Sequence, residues 1–315
     1  MKHVVTGSIA FDYLMSFPGK FTDHLLPEHM HRVSLSFLVD TMDKRRGGCA
    51  PNVAYTLALL GERPLLMATA GQDFGEYRAW LEAAGIDTSY VKLVEGKFCA
   101  SFFCSTDKEN NQIASFYTGA MANAAELSFR SVAGLGRDDL VIISPNDPDA
   151  MVQYAQECST LGIPYIWDPG QQCARMEGSQ LAEGVKGAFV VIVNDYEFEL
   201  VRQKTGMGED EILRQAQVLV ITRGEAGCSV LTKGSRVDVP AVPPVRIEDP
   251  TGVGDAFRGG LMKGLAAEAP YEVCARLGSV AATYALEHLG GTSHSYTRHQ
   301  FAARYEEHFG PLPPL

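Results

Sequence analysis

None of the seven cysteines in this 315-residue chain stands in a CxxC pair. They are scattered (49, 99, 104, 158, 173, 228 and 274) and odd in number, which speaks against a zinc knuckle, a redox dithiol or a disulfide framework. Reduced, buried thiols in a cytoplasmic protein are the expectation. Basic residues are also scarce: 27 Lys and Arg face 38 Asp and Glu, a net charge of −11. Nucleic-acid partners are excluded on that ground, because backbone binding needs clustered cations. No uninterrupted apolar run approaches the ~18 residues of a membrane span. The N-terminal stretch MKHVVTGSIAFDYLM is broken by Gly7 and Ser8 before it could form a signal-peptide core. Internal repeats and low-complexity tracts are absent, as is any GxxxxGK loop ending in Ser or Thr. What remains is an ordinary globular composition, 46% hydrophobic and 21% charged, long enough to bury a large core.

Strand-length apolar segments at 3–6, 65–69, 140–144, 165–167, 189–193 and 218–222 are nearly continuous in Val, Ile and Leu. That is the pattern of strands buried on both faces. Between them, residues 51–60, 74–84, 148–161 and 195–204 carry apolar residues at helical spacing, and two further helices are predicted at 254–267 and 271–288. The alternation predicts a three-layer α/β/α body with a mainly parallel central sheet. Two segments break it. Residues 11–46 hold Pro18, Gly19, Pro27 and a β-prone run at 32–41, while 97–117 reads as two strands, 98–105 and 112–117, around a polar turn. Both resemble hairpin material, expected as a small β-lid formed by 12–46 and 97–117 over a body of 1–11, 47–96 and 118–315. His24, His29 and His31 in the first lid segment lack a second ligand pattern and read as solvated or lid-packing residues.

The segment Asp249-Pro-Thr-Gly-Val-Gly-Asp255 carries the chemistry. Glycines just before a helix free the N–H groups of Gly252, Val253 and Gly254 to converge on one point, where the helix dipole adds positive charge. Such an anion hole suits the charge spread over a transferring phosphoryl group. Asp255 on the first turn is placed to take a proton from an attacking hydroxyl. The same residue could instead cap the helix. A dinucleotide fingerprint fits poorly, since Phe257 stands where the third glycine belongs and Asp255 would face a pyrophosphate.

With that segment in view, the chain resembles the ribokinase-like sugar and nucleoside kinases, the PfkB family. A second signature, Arg46-Gly47-Gly48-Cys-Ala-Pro-Asn52, is similar to the family's Gly-Gly pair opening a helix with Asn four residues on. The resemblance runs over nearly the whole chain and implies a ribokinase-like fold. It implies Asp255 as base, with Gly252, Val253 and Gly254 stabilising the γ-phosphoryl. Asp12, at the end of the first strand where the lid begins, and Asn52 would hold substrate hydroxyls; Gly47 and Gly48 would admit the sugar and serve as the hinge. Asn194-Asp-Tyr-Glu197 resembles the N-x-x-E motif, in which Glu197 reaches Mg²⁺ through water, and by itself also reads as a helix cap. Thr222-Arg-Gly224-Glu-Ala-Gly227 resembles the nucleotide loop, and also a hairpin turn; with Thr251 these residues would bind ATP. Many family members are also activated by K⁺ near the anion hole.

The acceptor is read from finer likenesses. The segments 47–54, 111–121 and 144–148, with Arg258 in Asp-Ala-Phe-Arg-Gly-Gly, look most like bacterial and archaeal adenosine and nucleoside kinases. Gln112 and Phe116 would contact the nucleoside, and Phe102 or Phe116 could stack on a base. Many sugar kinases of the family carry Asp-x-Asn-x-Arg after a central strand, where this chain reads Asp168-Pro-Gly-Gln-Gln172. The expectation is therefore an adenosine or broader nucleoside kinase, with a ribokinase- or fructokinase-like sugar kinase as the alternative. The family's lid pairing leans toward a homodimer over a monomer.

Overall fold

The computed structural model describes residues 1–24 and 35–314. In chain order the strands are β1 His3–Thr6, β2 Ala10–Ser16, β3 Thr41–Gly47, β4 Leu65–Ala70, β5 Asp87–Leu93, β6 Ala100–Thr106, β7 Gln112–Tyr117, β8 Leu140–Ile143, β9 Tyr165–Trp167, β10 Val190–Asn194, β11 Val218–Thr222, β12 Cys228–Thr232 and β13 Ser235–Val239. The α-helices are α1 Cys49–Leu59, α2 Gly75–Ala83, α3 Pro148–Leu161, α4 Gly178–Val185, α5 Asp195–Thr205, α6 Glu209–Gln215, α7 Val253–Ala266, α8 Tyr271–Leu286 and α9 Arg298–Phe309.

Nine strands form one sheet in the order β13-β12-β11-β10-β9-β8-β1-β4-β5, parallel except where β12 and β13 turn back. Alternate residues of its central strands feed two separate cores, as a two-residue side-chain period requires. Val5, Ile142, Ile192 and Val220 pack on one face with Phe257 and Leu261 of α7. Val4, Val141, Val191 and Leu219 pack on the other with Tyr154 of α3 and Leu181 of α4. The result is the α/β/α sandwich that the buried runs predicted. It also places the strand ends β1, β8, β9 and β10 along one rim, where the loops carry the polar residues discussed below.

A second, four-stranded sheet, β3-β2-β6-β7, draws its strands from the two segments that break the rhythm. The β-prone run at 32–41 is not itself a strand where it is described; the strand begins at Thr41. Its position is set by pairing with β2, from Ser16↔Thr41 to Ala10↔Gly47, rather than by local propensity. His24 packs edge-on against Phe17 and Phe37, while His29 and His31 lie outside the described residues. Among the described residues no group of three or more His, Cys, Asp or Glu side chains could hold a metal ion. No helix there is long and apolar enough to cross a membrane.

Helix α7 is wedged between α1 and α8 by its small residues. A Cβ at Gly259 would meet Thr56 of α1 at 2.6 Å, and one at Gly260 would meet the Leu277 carbonyl of α8 at 2.5 Å. Close backbone approach of this kind sets the helix axis, and with it the position of the first turn.

Candidate active site

The start of α7 is built by a turn that only glycine fits. Gly252 is the N-cap at φ +76°, and a Cβ there would lie 2.5 Å from Gly291 Cα. Asp249 ties the turn together. Its Oδ1 accepts the Thr251 N–H at 2.9 Å, and its Oδ2 accepts the Gly290 N–H at 2.9 Å and Arg45 Nη1 at 3.2 Å. Burial alone would raise this carboxyl, but those hydrogen bonds and the Arg45 charge hold it below the usual carboxylate range. One donor differs from expectation: the Val253 N–H turns back to the Pro250 carbonyl at 3.3 Å. The N–H groups of Gly252 and Gly254 have no protein acceptor among the described residues, as the open end of a helix allows.

Asp255 sits one step inside this opening, partly buried. Asn52 Nδ2 donates to its Oδ2 at 2.8 Å. Asn52 is itself 4% exposed, on the first turn of α1, and its Oδ1 has no partner. That turn is pinned by Gly48, the N-cap at φ +97°, where a Cβ would fall 2.4 Å from the Ser8 carbonyl. Burial pushes Asp255 up to about 6, with Asp168 adding to the rise and Asn52 and Arg258 opposing it. Cys49, at the start of α1, is pushed far above the ordinary thiol range by burial and by Asp255, so it stays protonated.

The small sheet presents a matching row. Strand register sets Arg45 beside Asp12, Asp12 beside Phe102, and Phe102 beside Phe116, so all four share one face. Asp12 lies within β2, not at the end of β1, and a Cβ at Gly47 would approach its Oδ2 to 2.7 Å. Burial, reinforced by Asp249 and opposed by Arg45, raises Asp12 to about 6. Arg45 thereby links the row to the α7 turn. Gln112 stands apart. It begins β7 opposite Thr106, about 13 Å along the strand from Phe116 at ~3.3 Å per residue.

On the other side of the α7 start lies a mainly apolar cavity of about 560 Å³. Thr222, Gly224 and Gly227 line it from the tight turn between β11 and β12, where Arg223 N–H bonds the Gly227 carbonyl at 2.7 Å. Ile247, Phe257 and Leu286 form apolar walls, and Gly254 closes it toward Asp255. The segment 222–227 is thus the hairpin turn joining β11 to β12, and it faces the cavity. Thr251 is exposed and outside the lining. Asn194 and Glu197 are also outside it, locked in a reciprocal cap: Asn194 Oδ1 accepts the Glu197 N–H at 2.7 Å, and Glu197 Oε2 accepts the Asn194 N–H at 2.8 Å. Burial raises the Glu197 carboxyl, with Arg258 opposing.

Two participants carry no readable role in the sequence. Arg45 precedes the Gly-Gly pair without belonging to it. Asp168 was visible only as a departure from a sugar-kinase pattern, yet it forms a buried ion pair with Arg258. Both pairs join residues far apart in the chain.

Comparison with known proteins identifies the family. The profile of the pfkB family carbohydrate kinases matches residues 11–298. A curated relative, the nucleoside kinase of Methanocaldococcus jannaschii, is 26% identical over 98% of this chain and 97% of its own length. The solved structure of Burkholderia thailandensis nucleoside kinase in complex with inosine is 38% identical, covers 99% of this chain and 100% of its own, and superposes with a TM-score of 0.88. The same kinase in complex with ADP-inosine, also 38% identical, covers 99% of this chain and 97% of its own with a TM-score of 0.84. This chain belongs to the pfkB family of carbohydrate kinases.

Proposed function

We propose that this chain transfers the γ-phosphoryl group of ATP to the 5′-hydroxyl of a nucleoside, adenosine or a close relative such as inosine. One observation carries the proposal: the first turn of α7 presents Asp255, held by Asn52, and free N–H groups at the edge of an apolar cavity. The apolar cavity with its Thr222–Gly227 turn is suited to an adenine base and ribose. Away from that cavity Asn52 meets Asp255, and the row Asp12, Phe102 and Phe116, joined to the α7 turn through Arg45 and Asp249, offers a carboxylate for ribose hydroxyls and ring faces for a base. The relatives named nucleoside kinase and the inosine complex support that acceptor over a free sugar.

In this reading Asp255, ionised above about pH 6, takes the proton of the attacking hydroxyl, and Asn52 holds its carboxylate in line. The N–H groups of Gly252 and Gly254, with the α7 dipole, stabilise the charge that develops on the transferring group. The Asn194–Glu197 cap uses Glu197 Oε2, which leaves Oε1 for contact through water, the indirect mode that suits Mg²⁺. When bound, Mg²⁺ neutralises charge on the ATP phosphates.

A coupled ADP-release assay with adenosine, inosine, guanosine, cytidine, ribose and fructose tests the acceptor. Saturable turnover is expected on nucleosides; turnover on ribose or fructose alone would overturn the choice. The pH profile tests the two carboxylates. Both must be ionised to act, and both sit at about 6, so kcat/KM should fall below pH 6 with a slope approaching two protons. Asp12→Asn should leave a one-proton limb at lower kcat/KM. A wild-type slope of one, unchanged in that variant, would remove Asp12 from the titration.

A further inference from the structure

We infer that Arg258, held by Asp168, is a positioning residue for phosphoryl transfer: it pins the peptide that precedes Asp255 and supplies a fixed positive charge behind that carboxylate. This rests on the proposed kinase reading. Arg258 lies three residues after Asp255 on α7, with its side chain 8% exposed. Its Nε and Nη2 are each 2.6 Å from the two carboxylate oxygens of Asp168, which is 1% exposed just beyond β9. The remaining arm is what links the pair to the site, because Nη1 donates to the Gly254 carbonyl at 3.0 Å.

That carbonyl shares its peptide plane with the Asp255 N–H. In a trans peptide the two point in opposite directions, so fixing the oxygen from within aims the N–H out of the helix start. A buried ion pair is poor value as a stabiliser, since packed apolar residues of similar volume often do as well. The geometry instead uses rigidity: a planar fork clamped by one carboxylate and touching one carbonyl has little freedom. Lysine at this position could supply the charge without the fork.

Asn52 from α1 bonds Asp255 directly, and the charges and dipoles that act on it come from Cys49 on α1, Asp168 beyond β9 and Arg258 on its own helix, with Tyr77 of α2 more weakly coupled. Arg258 favours the ionised carboxylate and Asp168 disfavours it. Removing them should therefore move the acid limb in opposite directions, which loss of packing would not do.

The test is steady-state kinetics of the full chain with ATP and inosine from pH 5 to 9, with circular dichroism to establish folding. Arg258→Met is expected to lower kcat roughly 10- to 100-fold with KM values within about threefold, and to raise the acid limb by about one pH unit. Arg258→Lys should restore the limb but only part of kcat. Asp168→Asn should lower the limb. If the Met variant does not fold, the Lys and Asn variants decide. Wild-type kcat and limb in folded Arg258→Lys and Asp168→Asn would overturn the inference, as would lost activity with an unmoved limb. Retained full turnover in Asp255→Asn would instead overturn the base reading on which it rests.

Discussion

Asp255→Asn is expected to lower kcat by roughly 10³-fold or more while raising stability at pH 8. The first effect is what loss of the proposed general base would cost, about 10²–10⁴ in rate. The second follows from the sign of the shift. Burial raises this carboxyl from 3.8 to about 6, so the fold binds its proton more tightly than the unfolded chain does. The stability linked to that proton is fully present below pH 3.8 and is lost as pH rises through 6. At pH 8 the wild type carries a disfavoured buried charge, whereas Asn carries none and can turn its amide to keep accepting from Asn52 Nδ2. The melting temperature of the variant should exceed wild type by on the order of 2 °C at pH 8, and the gap should close toward pH 4. Turnover within tenfold of wild type would sink the base assignment. A variant less stable than wild type at pH 8 would show that Asn52 and Arg258 more than offset the burial.

Gly252→Ala is expected to lower kcat by about 10²-fold and stability by roughly 1–3 kcal/mol. The residue sits at φ +76°, and its added methyl would meet Gly291 Cα at 2.5 Å. Backbone cannot yield as a flexible side chain can, so the turn must open and the N–H groups beside Asp255 lose their aim. Gly206 is the control. Its φ is +75° but nothing lies within 4 Å of a Cβ there, at the C-terminus of α5. Gly206→Ala should share the backbone strain, lower the melting temperature modestly and leave kcat unchanged. Equal losses of kcat in the two variants would refute the geometric role given to the α7 turn.

The fold was most legible where burial on both faces left an unbroken apolar run. Residues 3–6, 165–167 and 218–222 coincide with β1, β9 and β11, and 148–161 coincides with α3, which Asp147 caps and Gly162 ends. Legibility failed at the edges. β5 and β13 read DTSYVKL and SRVDV, with exposed polar residues breaking up the apolar ones, and neither stood out as a strand. α6 has only seven residues, too few to show a helical period, and α9 mixes charge around two buried aromatics.

The candidate catalytic segment was legible for a different reason. An anion-binding turn needs glycines at set distances from a helix start, and those distances are local in the chain. Sequence alone therefore determined the alternating α/β body, the glycine turn at 252–254 and Asp255 on the first turn beyond it. Only the tertiary structure decided which charges surround that aspartate. Arg45 meets Asp249 across 204 residues, Asn52 meets Asp255 across 203, and Arg258 meets Asp168 across 90. Each pairing depends on sheet order and on glycine-mediated packing of α7, and a carboxylate's acidity depends on its neighbours in space rather than along the chain.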